Sequence, residues 1–165
     1  MERLWAPWRM SYISGASAKA YPEGTCVFCL KWQEREDAEN LVLFRGTTCY
    51  MVMNLFPYTN GHLMVVPVRH TADLSALSET ERLEVFALGQ RGVEALTRAI
   101  HPDGFNIGMN LGRVAGAGIE DHLHLHIVPR WNGDTNFMPV LGETRVISEG
   151  LTETYEKLVR ALEKM

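Results

Sequence analysis

The run His122-Leu123-His124-Leu125-His126-Ile127-Val128 alternates imidazole and aliphatic side chains without a break. A period of two is the pattern of an extended strand, in which residues i, i+2 and i+4 share one face. The spacing therefore predicts a strand over 122–128, closed by Pro129, with His122, His124 and His126 in one row. Leu123, Leu125 and Ile127 form the opposite row. That row belongs in a core, and burying it fixes the register that presents the imidazoles to a cleft. Three of the chain's six histidines fall in this segment, which makes it a candidate site as well as a structural landmark.

A neutral imidazole is a good nucleophile near neutral pH. A neighbouring imidazole, if cationic, can bind phosphate oxygens, and a third can fix the tautomer of the nucleophile or ligate a metal. Phosphorus chemistry suits such a row, because charge placed on nonbridging oxygens stabilises the transition state. The alternatives at this point are a metal-binding strand and a histidine-rich surface without a role.

The rest of the chain reads as strands, a long helix, more strands and a last helix. Leu41–Phe44, Cys49–Met53, His62–Val66 and Phe105–Leu111 are predicted strands, and Lys31–Asn40 a short solvated helix or loop. Ser78-Glu79-Thr80-Glu81 fits a capping box. The helix it opens runs to Ile100, with Leu83, Phe86, Val93, Leu96 and Ile100 as its buried stripe. Residues 151–162 form an amphipathic helix with Leu151, Tyr155, Leu158 and Leu162 on one side. The fold class is α+β: an antiparallel sheet of about five strands with a long helix and a C-terminal helix. Residues 1–24, with Trp5, Trp8, Tyr12 and Tyr21, read as an aromatic arm packed on the domain or on a second subunit.

A length of 165 residues suits one domain, and a net charge of −4 argues against nucleic acid as the main partner. No apolar run is long enough to span a bilayer, and the start lacks a signal-peptide pattern. A cytoplasmic location is expected. Three cysteines in a reducing compartment read as thiols or metal ligands before disulfides.

His122-Leu123-His124-Leu125-His126-Ile127-Val128 resembles the motif of the histidine-triad family, and Asn54, Gly61-His62, Val66-Pro67 and Arg69-His70 fall in that family's order. The resemblance covers residues 22–131, with 132–165 as a C-terminal extension. The flanks Leu4-Trp5-Ala6-Pro7-Trp8-Arg9 and 131–137 resemble a bacterial branch that includes dinucleoside polyphosphate hydrolases and phosphorylases. The resemblance implies that His124 attacks the α-phosphorus of a nucleotide and that His126 binds the phosphate. His122 and His62 support the site. Asn54 would meet the ribose, Asn110 the phosphate or leaving group, and the loop at Gly118 the phosphate. Relatives often carry Gln or Ser before the first histidine, where this chain has Gly116-Ala117-Gly118-Ile119-Glu120-Asp121. Backbone N–H groups of that loop would serve instead, with Glu120 and Asp121 turned away or paired with a base. A homodimer is also implied.

Cys26-x-x-Cys29 gains weight beside the family's metal-binding members, whose further ligands match His70 and His122. Four such residues suit structural zinc; the plain alternative is two reduced cysteines packed as small hydrophobes. Cys49 reads as packing, and His101 as a helix-end residue. The implied activity is hydrolysis of, or nucleotidyl transfer from, dinucleoside polyphosphates or related nucleotidyl compounds. Phosphate-dependent phosphorolysis of diadenosine tetraphosphate, cleavage of nucleotidyl phosphoramidates, and a nucleotide- or zinc-binding module without turnover stay open.

Overall fold

The computed structural model describes residues 24–135, 137 and 147–165. The aromatic arm expected over 1–24 lies almost wholly outside them. The described chain builds one five-stranded sheet, β1 (Val42–Arg45), β2 (Cys49–Met53), β3 (Leu63–Pro67), β4 (Gly104–Gly108) and β5 (Leu125–Arg130). The spatial order is β1-β2-β3-β5-β4, and every neighbouring pair is antiparallel. Helix α1 (Val27–Glu34) and the single turn α2 (Asp37–Asn40) precede the sheet. The long α3 (Glu79–Ile100) connects β3 to β4, and α4 (Leu151–Glu163) ends the chain.

The sheet separates two apolar clusters. Met51, Met53, Leu63, Val65, Leu125 and Ile127 pack against α3 and α4, where Leu158 and Leu162 complete the core. On the other face Tyr50, Val52, Met64 and Val66 pack against Phe28 of α1. The Tyr50 hydroxyl donates to the Phe28 carbonyl at 2.8 Å, which pins α1 to the sheet. The predicted "short helix or loop" thus begins earlier than expected, at Val27, and stops where Arg35 turns left-handed (φ 59°).

The capping box on α3 is present: the Ser78 side chain accepts from Glu81 N–H, and the Glu81 carboxylate accepts from Ser78 N–H. The buried stripe differs from the predicted one. Leu83 and Phe86 are 65% and 69% exposed, and the buried line is Val85, Leu88, Gly89, Gly92, Ala95 and Leu96. The reason is close approach to the sheet. A Cβ added at Gly92 would stand 3.0 Å from Ile127 Cδ1, and one at Gly89 3.3 Å from Leu125 Cδ2. Small residues set the contact face over the first half of the helix, whereas the predicted Leu96 is buried and Val93 and Ile100 pack partly buried against the same core.

The histidine strand is also shorter than its sequence pattern. Regular pairing with β3 begins at Val65↔Leu125 and runs through Met64↔His126. His122 and His124 lie before it, and Pro129 lies inside β5 rather than closing it. The next positions in this register would involve Pro67, which has no N–H for a ladder bond. Its carbonyl is taken by a histidine side chain instead, and Leu123 N–H donates to Thr71 O at 2.8 Å.

Candidate active site

Four of the chain's histidines meet on the α1 side of the sheet, and all four are buried: His62, His122, His124 and His126. Main-chain groups dictate where each carries its proton. The amide N–H of Tyr58 donates to His62 Nδ1 at 3.2 Å, so Nδ1 is an acceptor and the neutral ring is protonated at Nε2. His62 Nε2–H then donates to His126 Nδ1 at 2.9 Å. That leaves the proton of His126 on Nε2, a buried atom with no partner among the described residues. A buried donor without an acceptor is costly unless a ligand supplies one.

The same logic applies along the triad. The carbonyl of His122 can only accept, so His124 Nδ1 donates to it at 2.8 Å, and the lone pair of His124 is on Nε2. The carbonyl of Pro67 likewise receives His122 Nε2–H at 2.8 Å, which leaves the lone pair of His122 on Nδ1. The His124 and His126 rings stand edge to face, 4.7 Å apart between centroids. This is closer than the spacing of roughly 7 Å expected for alternate positions along a strand, because the rings lean toward each other beyond the end of regular pairing. Phe28 closes the site from α1, 5.1 Å from His124.

Burial keeps these imidazoles uncharged. It pushes His62 down to about 3, with His126 and His124 nearby adding to the effect. It pushes His126 down to about 4, helped by His124. His122 and His124 are lowered too, chiefly by burial. His126 is therefore a neutral N–H donor in the free protein rather than a cation.

Of the other expected site residues, Asn54 is engaged at both ends. Its Nδ2 lies 3.3 Å from His62 Nδ1 and its Oδ1 accepts from Phe56 N–H at 2.9 Å. Asn110 donates to the Gly116 carbonyl at 3.3 Å and so braces the glycine loop. Gly118 is exposed in that loop, and Glu120 points to Arg113 at 4.0 Å, an exposed pair. Cys49 is fully buried and packs in the core. Tyr58 was not singled out by sequence reasoning, yet its N–H sets two tautomers and its ring lies over His62 and His126. The signal was an aromatic residue between Asn54 and His62 in a loop otherwise marked only by Pro57, Asn60 and Gly61.

Cys26, Cys29, His70 and His122 come together with their ligating atoms within 4.8 Å of one another. Cys26 Sγ and His70 Nδ1 each lie 3.2 Å from His122 Nδ1, and Cys29 Sγ lies 3.6 Å from it. Cys29 Sγ is 3.5 Å from His70 Nδ1. A tetrahedral zinc centre with ordinary Zn–S and Zn–N lengths separates its ligand atoms by about 3.3–3.8 Å. The donor set fits, and the lone pair of His122 faces it because Nε2–H is held by Pro67.

The HIT domain family matches residues 35–133. The chain is a member of the HIT domain family. A protein named AP-4-A phosphorylase from Mycobacterium tuberculosis is 41% identical over 157 residues, covering 93% of this chain and 80% of that one. An adenosine 5'-monophosphoramidase from Schizosaccharomyces pombe is 30% identical over 108 residues, covering 66% of this HIT protein and 76% of its own length. Among solved structures, a Zn-bound histidine triad family protein from Mycobacterium smegmatis superposes with a TM-score of 0.69 at 32% identity, covering 85% of this chain and 94% of that one. The α+β fold, with its five-stranded antiparallel sheet, long helix and C-terminal helix, is therefore that of the family. No helix among the described residues is long and apolar enough to cross a membrane.

Proposed function

We propose that this HIT protein cleaves dinucleoside polyphosphates by nucleotidyl transfer through His124, with orthophosphate as the acceptor. The observation that carries the reading is the locked tautomer of His124: Nδ1–H is held by the His122 carbonyl, and the Nε2 lone pair stands beside the unpartnered Nε2–H of His126. For diadenosine tetraphosphate, Nε2 of His124 attacks the α-phosphorus as the bond to the bridging oxygen breaks. That oxygen takes the electron pair and ATP departs. An oxygen of orthophosphate then attacks the same phosphorus, the P–N bond breaks, and ADP leaves with the His124 lone pair restored. His126 donates to a phosphoryl oxygen throughout, and charge growing there strengthens that bond. His62 holds His126 in the donating tautomer. Asn54, Asn110 and the loop at Gly118 contact the nucleotide and its phosphates.

The choice of phosphate over water follows the 41% identical relative named AP-4-A phosphorylase. We further assign Cys26, Cys29, His70 and His122 to structural zinc, which would tie α1 to the triad segment and supply no step of the reaction. The chain works as a single cytoplasmic domain and as a homodimer. The edge position of β4 and the half-exposed Ile107 on it suit pairing with a second copy.

Incubation with diadenosine tetraphosphate, with and without phosphate, tests the reading. ATP plus ADP formed only with phosphate supports it; phosphate-independent cleavage means hydrolysis, and no cleavage leaves a binding module. Alkaline quench, which preserves the P–N bond, followed by mass spectrometry should show one adenylate on the native protein and none on His124→Ala. Native-like turnover by that variant would reject His124 as nucleophile.

A further inference from the structure

Beside the triad, the catalytic face of the sheet continues into a cleft of about 700 Å³ that runs from His126 along β5 and β4 to Trp131. We propose that this cleft receives the nucleoside of the departing nucleotide, the far adenosine of a dinucleoside polyphosphate whose near half is transferred to His124. The assignment rests on the reaction proposed above and adds where its leaving group is recognised.

The shape comes from β-sheet register. Side chains of His126, Val128 and Arg130 alternate onto one face of β5. Across the ladder, Asn106 pairs with Val128 and Gly108 with His126. Gly108 leaves a gap opposite the catalytic histidine: a Cβ added there meets no atom within 4 Å. Tyr58, 41% exposed, forms a wall and lies parallel to the His126 ring at 5.9 Å between centroids. Trp131 adds a second aromatic side chain to the lining. The volume falls within the usual range for small-molecule sites.

Charge decides which part of the substrate fits. Among the described residues, the charged ones lining the cleft are Arg130 and Asp134. They are bonded to each other, Nε to Oδ2 at 2.6 Å and Nη2 to Oδ1 at 2.8 Å, while Nη1 donates to Asn106 Oδ1 at 2.7 Å. The guanidinium is thus spent on partners within the fold, and the described lining offers no net positive charge to a run of phosphates. It offers aromatic faces and amides, which suit the stacking and edge hydrogen bonds of a base. It also begins at His126, whose Nε2–H is the donor for the transferred phosphate, so a chain leaving the triad on that side enters the cleft next.

The test compares diadenosine tetraphosphate with adenosine tetraphosphate, which has the same phosphates and no second nucleoside. Gly108→Leu places a side chain in the gap, where its Cβ meets no atom within 4 Å, and Trp131→Ala removes an aromatic lining residue. Each should lower kcat/KM for the dinucleotide by about tenfold or more, the scale of one lost base stack, and leave adenosine tetraphosphate within about twofold. Equal losses on both substrates, or no loss on either, with an unchanged melting curve, would overturn the assignment. Turnover of neither substrate by the native protein would instead reject the proposed reaction. The cleft is then read without turnover, by titrating ATP against inorganic tripolyphosphate with AMP saturating. A loss of ATP affinity in Gly108→Leu, with tripolyphosphate unchanged, supports a nucleoside site; parallel behaviour of the two probes overturns it.

Discussion

Mild acid should destabilise this protein through His62 before its carboxylates are affected. In the fold burial holds His62 neutral down to about 3, against an ordinary value of 6.5. Between those values the unfolded chain binds a proton that the folded chain refuses, so stability falls as pH falls. From pH 7 to pH 5 the unfolded imidazole moves from mostly neutral to almost fully charged, while the folded one stays neutral. At about 1.4 kcal/mol per pH unit once titration is complete, the loss is about 2 kcal/mol. His126, held to about 4, adds in the same direction over the same window. Glu81, held down to about 2 chiefly by Arg69, does the same only as pH falls below its ordinary 4.5. Replacement of His62 by glutamine isolates the effect, since an amide oxygen can accept from Tyr58 N–H and its N–H₂ can donate to His126. Urea unfolding at pH 7, 6 and 5 should show native stability dropping more steeply than that of His62→Gln, by about 2 kcal/mol over the range. Parallel slopes for the two proteins would refute the claim that His62 is buried neutral, and with it the tautomer chain to His126.

Three further outcomes are expected. Gly61 sits at φ +73° with Ile100 Cδ1 2.6 Å and Leu96 Cδ2 2.9 Å from where a Cβ would stand; Gly61→Ala should cost about 2–4 kcal/mol in urea unfolding, from left-handed strain and overpacking together. Glu84 accepts from the amides of Thr47, Thr48 and Cys49 and from the Thr48 hydroxyl, so Glu84→Ala should remove about 2 kcal/mol or more in the same measurement and loosen the β1–β2 turn in hydrogen exchange. Elemental analysis should find one zinc per chain in native protein and far less in Cys26→Ala, and chelation should lower the melting temperature of the native protein only.

The strands of the sheet, the capping box and the C-terminal helix were legible because each rests on local rules: period-two alternation, Ser78 with Glu81, and an apolar stripe of period 3.6. The face of α3 was legible only in its second half, at Val93, Leu96 and Ile100; in the first half Gly89 and Gly92 carry no hydropathic signal although they determine how near the helix comes to the sheet. At the site, the histidine pattern marked the buried imidazoles, and Cys26, Cys29, His70 and His122 do converge. The protonation of those rings was not legible. It depends on the Tyr58 amide and on the Pro67 and His122 carbonyls, groups every chain possesses, and only the fold says which of them faces an imidazole. Tyr58 and the Arg130–Asp134 pair escaped notice for a related reason, since their importance comes from neighbours distant in sequence.

The reliance of four histidines on three main-chain atoms bears on how such a site can vary over evolutionary time. A side chain that sets a tautomer is open to point mutation, and its loss is one codon away. An amide at Tyr58 or a carbonyl at His122 survives almost any substitution at its own position. Drift in the surrounding residues can therefore reshape the walls of the cleft while the imidazole nitrogens keep their assigned protons. The proposed chemistry would thus be insulated from the sequence changes that retune its substrates.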